Sequence, residues 1–202
     1  MIKAVVLDIG GVIIRTKNRS CRELLEKQYN LPVGGADELV FNSRAAQDST
    51  IGLVENNAVW ESVKNHLCIS DLQLNEFKEM FWKNDDIDRD LIQYIQTLRP
   101  QFKTALLSNA WKNFRNILST QYQISEGLTV DQILISSELG VAKPDPAIYQ
   151  VLAETINCEF KDILFVDDFI ENIKAAKILG IRTIHYQQGI NLIKEIKLKL
   201  NE

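Results

Sequence analysis

Short apolar runs in this chain end on polar groups that suit one another chemically. Asp8 closes the first, in "VVLDIGGVII". Ser108 and Asn109 follow the second, in "ALLSNA", and Lys143 comes after the third, in "SSELGVAKPDPAIY". Asp167 and Asp168 end the fourth, in "ILFVDDFIENI". Clustered carboxylates repel one another unless a cation lies between them. Oxygen donors that leave room for water suit Mg²⁺. An ion shared by Asp8 and Asp167 leaves an oxygen of Asp8 free as a nucleophile, with Lys143 and Ser108 to hold an anionic group against it. Phosphoryl transfer asks for this kind of positioning and charge neutralisation, and carboxylates are known to serve it as nucleophiles.

For these residues to meet, the runs must be neighbouring strands. Ala4 to Leu7, Lys103 to Leu107, Ile133 to Ile135 and Ile163 to Val166 lack polar–apolar alternation, as parallel strands buried on both faces do. A weaker run spans Arg182 to His185. Helical patterns, "DPAIYQVLAETI" and "IENIKAAKILG", separate the later runs, and Gly180 is placed to end the second helix. This alternation predicts an α/β fold, a doubly wound parallel sheet of Rossmann-like form. Ligands of such sheets bind beyond the carboxyl ends of the strands, where the polar residues stand.

Residues 16–88 interrupt the rhythm and contain no good β run. "SCRELLEKQYN", "GGADELVFNSRAAQ", "ENNAVWESVKNHL" and "DLQLNEFKEMFWKN" each read as an amphipathic helix, the last capped by Ser70. The expected organisation is a core domain of residues 1–15 and 89–202 with a helical subdomain, 16–88, inserted after the first strand. "NLIKEIKLKLNE" reads as a closing amphipathic helix, and its polar face is too weakly basic for a membrane surface.

Composition narrows the partners. The 202 residues are 46% hydrophobic and 25% charged, as in ordinary globular proteins. A net charge of -4 gives no electrostatic footprint for nucleic acid. Cys21, Cys68 and Cys158 are too far apart in sequence for a zinc motif and read as reduced thiols of a cytoplasmic protein. Asp8 breaks the first apolar run, so no secretory signal is expected, and no run is long enough to span a membrane. A small-molecule partner and a monomer or weak homodimer are the expectation.

"LDIGGV", "LLSNA", Lys143 in "GVAKPDPAIY" and "FVDDFIENI", in that order, resemble the four motifs of the haloacid dehalogenase superfamily, mostly Mg²⁺-dependent phosphatases. The resemblance covers essentially the whole chain, and the helical insertion is similar to that family's type-one cap. It implies that Asp8 is the nucleophile and a metal ligand, and that Ser108 bonds the phosphoryl group. Lys143 would neutralise charge, Asp167 bind Mg²⁺ directly, and Asp168 assist through water or hydrogen bonds. Asn109 joins the substrate-binding set, and Asn172 would steady the Asp167 loop. Each has a plainer alternative: a turn cap for Asp8, turn or cap residues for Ser108 and Asn109, a solvated lysine for Lys143, a helix N-cap for Asp168, a surface amide for Asn172.

Gly10 departs from the family pattern. Most phosphatases of the superfamily carry a second Asp there, as general acid and base, whose backbone carbonyl binds the metal. Gly10 keeps the carbonyl and lacks the acid, whose help is typically worth about 10²–10⁴-fold. Three readings follow: a phosphatase of the branch with Gly here, resembling sugar-1-phosphate phosphatases; a degenerate member that binds without useful turnover; and a haloacid dehalogenase, against which the double Asp argues. The inserted helices would choose the substrate, a small phosphorylated metabolite, through "FNSRAAQDSTIGLVE", with Arg44 as the candidate contact. His66 and His185 read as structural or surface residues, and Trp60, Phe77, Phe81 and Trp82 as the insertion's own core.

Overall fold

A computed structural model describes residues 1–202. In chain order the elements are β1 (Ala4–Leu7), β2 (Ile14–Thr16), α1 (Ser20–Gln28), α2 (Gly35–Phe41), α3 (Arg44–Thr50), α4 (Asn56–Leu67), α5 (Asp71–Trp82) and β3 (Asp85–Ile87). They continue with α6 (Arg89–Leu98), β4 (Lys103–Ser108), α7 (Phe114–Gln121), β5 (Gln132–Ile135), α8 (Ser136–Leu139), α9 (Pro146–Thr155), β6 (Ile163–Asp167), α10 (Ile170–Ile178), β7 (Arg182–His185) and α11 (Leu192–Leu200).

The apolar runs form one five-stranded sheet, ordered β5-β4-β1-β6-β7, with every pairing parallel. Successive residues of β1 serve opposite faces, as the period of a strand requires. Val5 and Leu7 pack with Leu91 and Ile95 of α6 and Ile196 of α11. Ala4 and Val6 pack with Ile148 and Leu152 of α9 and Ile173 of α10. Helices therefore cover both faces, and the runs show no alternation because neither face meets water. No helix is long and apolar enough to cross a membrane.

The insertion has its own apolar centre, built on Leu25, Val40, Val63, Leu74, Phe77 and Phe81. Ser70 starts α5 in a full capping box with Gln73. The stretch "GGADELVFNSRAAQ" is two helices, not one. The Ser43 hydroxyl accepts the Ala46 N–H at 3.1 Å and starts a new helix there. Trp82 also departs from expectation. Phe77 and Phe81 are fully buried, whereas Trp82 is 40% exposed and packs on Phe41 and Trp60.

A β element also occurs where none was expected. β2 and β3 pair antiparallel at the two places where the chain passes between sheet and insertion. Asp85 and Asp86 disfavour a strand by propensity, but side chains outweigh it here. Thr16 donates to Asp85 at 2.6 Å, and Lys17 pairs with Asp86. Arg22 of α1 is buried, holds both oxygens of Asp85 at 2.9 Å, pairs with Asp37 and lies over the Phe81 ring.

Removing Arg22 leaves two carboxylates without their shared cation. Arg22→Ala is expected to destabilise the insertion by about 3–5 kcal/mol. Arg44→Ala breaks an exposed pair within one helix and is expected to cost about 0.5 kcal/mol or less. Urea unfolding followed by tryptophan emission checks both, since Trp60 and Trp82 lie in the insertion.

Candidate active site

Strand register brings the site together. Leu7 of β1 lies level with Leu106 of β4 and Val166 of β6. The next residue, Asp8, therefore stands beside Asp167, and its N–H donates to the Val166 carbonyl at 2.8 Å. Ser108 ends β4 one step further along the same rim. Lys143 reaches this rim from the loop between α8 and α9.

The Lys143 ammonium is the hub. Its Nζ lies 2.8 Å from Asp8 Oδ1, 2.7 Å from Asp167 Oδ2 and 2.9 Å from the Leu107 carbonyl. All three of its donors are thus satisfied in a position almost closed to water. Asp8 Oδ1 also accepts the Ile9 N–H at 2.7 Å, while Oδ2 accepts no hydrogen bond from the protein. Asp167 is fully buried and takes bonds from the Phe169 N–H and the Asn172 amide. Ser108 is buried, and its hydroxyl bonds to no protein group.

Charge is unbalanced at this rim. Asp8, Asp167 and Asp168 offer oxygens within 4.8 Å of one another, against the one ammonium of Lys143. Burial, reinforced by Asp167, overcomes the pull of Lys143 and pushes the Asp8 carboxyl up to about 7. Burial and Asp167 also raise Asp168. Burial disfavours charge on Lys143 too, but Asp8 and Asp167 outweigh it and hold the amine above its ordinary range. Three hard oxygen donors with surplus negative charge and an open side at Asp168 fit a divalent cation such as Mg²⁺.

The sequence matches the family profile of haloacid dehalogenase-like hydrolases over residues 2–180. The chain belongs to that family. It is 26% identical to the D-ribitol-5-phosphate phosphatase of Bacteroides thetaiotaomicron, covering 100% of each chain. It is 25% identical to bifunctional epoxide hydrolase 2 of Sus scrofa over 97% of its own length, but spans only 38% of that protein. Among solved structures, a HAD-like family hydrolase from Porphyromonas gingivalis superposes with a TM-score of 0.81 at 23% identity, covering 100% and 99% of the two chains. A HAD family enzyme from Bacteroides thetaiotaomicron, in complex with magnesium and inorganic phosphate, gives 0.75 at 22% identity over 95% and 97%.

Not every residue singled out in this haloacid dehalogenase-like hydrolase meets the rim in the same way. Asn109 grips the backbone of Lys143 from both sides: its amide donates to the Lys143 carbonyl at 2.7 Å, and its oxygen accepts the Lys143 N–H at 2.8 Å. Those bonds make it a brace for the lysine. Arg44 lies outside the cluster. Its side chain is 85% exposed, and its Nε bonds Asp48 one turn on, at 2.9 Å. Asp168 does not cap α10; Asp167 takes the Phe169 N–H instead. His185 ends β7 with Nε2 3.0 Å from the Asp168 carbonyl. Tyr149 was not singled out from sequence. Its hydroxyl donates to the Asn172 carbonyl at 2.9 Å and so supports the residue that holds Asp167. In sequence it looks like one more apolar position of α9.

The two glycines after Asp8 differ in kind. Gly11 has φ +73°, and a Cβ there would lie 2.0 Å from a carboxylate oxygen of Asp168. Gly10 has no such backbone constraint, and a Cβ would meet nothing within 4 Å. Gly11→Ala is therefore expected to displace Asp168 and to weaken Mg²⁺ binding about tenfold or more, as loss of a ligand's support does. Gly10→Ala is expected to bind Mg²⁺ within about twofold of the wild type. Calorimetric Mg²⁺ titration of the two variants, with circular dichroism as a check on folding, tests the contrast.

Proposed function

We propose that this chain is a Mg²⁺-dependent phosphatase that hydrolyses a small phosphorylated metabolite through an aspartyl-phosphate on Asp8. The observation that carries this reading is the Lys143 ammonium bonded to both Asp8 and Asp167, on the rim where Ser108 ends β4 with a hydroxyl that bonds to no protein group. One oxygen of Asp8 is pinned by Lys143 and the Ile9 N–H. The other, Oδ2, is free to attack phosphorus. The phosphorus–oxygen bond to the leaving group breaks with its electron pair going to that oxygen. Ser108 donates to a non-bridging phosphoryl oxygen, and Lys143 neutralises charge between that group and Asp8. Water then attacks the acyl-phosphate, which releases inorganic phosphate and restores Asp8. When bound by Asp8, Asp167, Asp168 and the Gly10 carbonyl, Mg²⁺ would supply charge neutralisation at the phosphoryl oxygens.

The relative whose full length the chain matches is named for a polyol phosphate. That supports a phosphorylated sugar or polyol as the substrate class. A phosphate-binding protein without turnover is the second reading, favoured by the lack of an acid at Gly10. Phosphate release from a panel of sugar, polyol and aryl phosphates, with Mg²⁺ and with EDTA, separates the two. Turnover is expected with Mg²⁺ and not with EDTA. Asp8→Asn is expected to lose about a thousandfold or more in kcat while folding normally. If that variant kept a tenth of wild-type activity, the nucleophile would lie elsewhere.

Gly10 also bears on leaving groups. With no acid there, turnover is expected to rise steeply with leaving-group acidity, so that aryl and anomeric phosphates outrun simple alkyl phosphates. The open space and unconstrained backbone at Gly10 admit a side chain. Gly10→Asp is expected to raise kcat/KM on alkyl phosphates, by up to about 10²-fold, and to flatten the dependence. A wild-type enzyme indifferent to leaving-group acidity would mean that another group already supplies the proton.

A further inference from the structure

We infer that Trp111 is a positioning residue through which seating of the helical insertion sets the geometry of Lys143. This rests on the reading of Lys143 as part of the phosphatase machinery. The segment after β4 divides sharply. Ser108 and Asn109 serve the rim: the first presents a free hydroxyl, and the second clasps the Lys143 backbone. The next three residues all hold the insertion. The Ala110 N–H donates to the Ser136 hydroxyl at 3.0 Å, and that hydroxyl donates to the Thr50 carbonyl at 2.6 Å. The Trp111 ring lies 6.1 Å from Phe41 and 5.9 Å from Trp60, centroid to centroid. The Lys112 carbonyl accepts from the Asn56 amide at 2.6 Å, and its ammonium pairs with Glu55 at 2.5 Å.

The same surface is fitted closely at the backbone. Gly52 has φ +73°, and a Cβ there would lie 2.2 Å from the Ser137 carbonyl oxygen. Helices α3 and α4 thus meet two core loops, one leading from Ser108 and the other leading to Lys143. Trp111 is the apolar member of this contact. With Phe41, Trp60 and Trp82 it makes a run of half-buried aromatic pairs, worth about 0.5–1.5 kcal/mol each. Exposed ion pairs such as Lys112–Glu55 contribute less. A path therefore runs from the aromatic cluster to Trp111, along the Ala110 backbone to Asn109, by hydrogen bonds to the Lys143 backbone, and through its ammonium to Asp8.

Amide hydrogen exchange and kinetics on full-length variants test this. In Trp111→Ala, and in Phe41→Ala, which alters only the insertion, the Lys143 amide is expected to exchange about tenfold faster or more, while Val6 in β1 stays protected. On a phosphate ester that the wild type turns over, both are expected to lose about 10- to 100-fold in kcat with a smaller change in KM. Trp111→Phe is expected to recover most of the loss. Unchanged exchange at Lys143 in both alanine variants would overturn the inference, as would an effect confined to KM. A wild type that turns over nothing would count against the phosphatase reading alone, and the exchange result would still decide the coupling. The three tryptophans of the chain all lie in this cluster, so their emission reports whether each variant keeps it assembled.

Discussion

The site depends on one ammonium buried between two carboxylates. Parallel pairing of β1 with β6 forces Asp8 and Asp167 side by side, because Leu7 and Val166 are level and the two aspartates are the residues that follow them. In the low dielectric of a sheet interior this pair is costly unless compensated. Lys143 meets that demand with all of its donors, and the Leu107 carbonyl takes the one the carboxylates leave over. The surplus negative charge that remains, with Asp168 at its open side, is what a divalent cation would balance. The rest of the fold serves this arrangement. Asn172, backed by Tyr149, holds Asp167, and Asn109 holds the backbone that carries the lysine.

The glycine pair separates a structural requirement from a chemical one. Gly11 is demanded by its left-handed backbone and by the carboxylate packed against its Cα. Gly10 is demanded by neither, so the fold leaves that position open to a side chain. An oxygen that departs unprotonated must be stabilised by other means. On the proposed mechanism these are a leaving group that is intrinsically acidic and a phosphoryl group held firmly by Ser108, Lys143 and the metal.

Much of this was legible in the sequence, because buried parallel strands announce themselves as short apolar runs and their carboxyl ends as the polar residues that follow. Asp8, Ser108, Lys143 and Asp167 stand together in the structure for that reason. Part of what was not legible depended on partners distant in sequence. β3 contains two aspartates and becomes a strand only because Thr16, Lys17 and Arg22 meet them. The break between α2 and α3 turns on one serine hydroxyl inside an otherwise continuous helical pattern. Asn109 looked like a group for the substrate, since nothing local shows that both ends of its amide are taken by Lys143. Arg44 is engaged by Asp48 one turn along its own helix, a spacing that the sequence itself displays.

Segment 108–112 joins the rim of the site to the insertion. A site without an acid at Gly10 leans on the placement of its remaining groups, and displacement by about 1 Å is enough to cost about 10²-fold. The lysine that matters most sits on a loop, not on a strand, and loops are the less rigid support. Asn109 ties that loop to the end of β4, which is rigid, but it leads through Ala110 into Trp111 and Lys112, which are held by the insertion. The contact between the insertion and residues 111 and 112 therefore bears on the site. With the insertion seated, the loop bearing Lys143 is fixed from both sides. With it displaced, Asn109 keeps one rigid neighbour, Ser108, and loses the other.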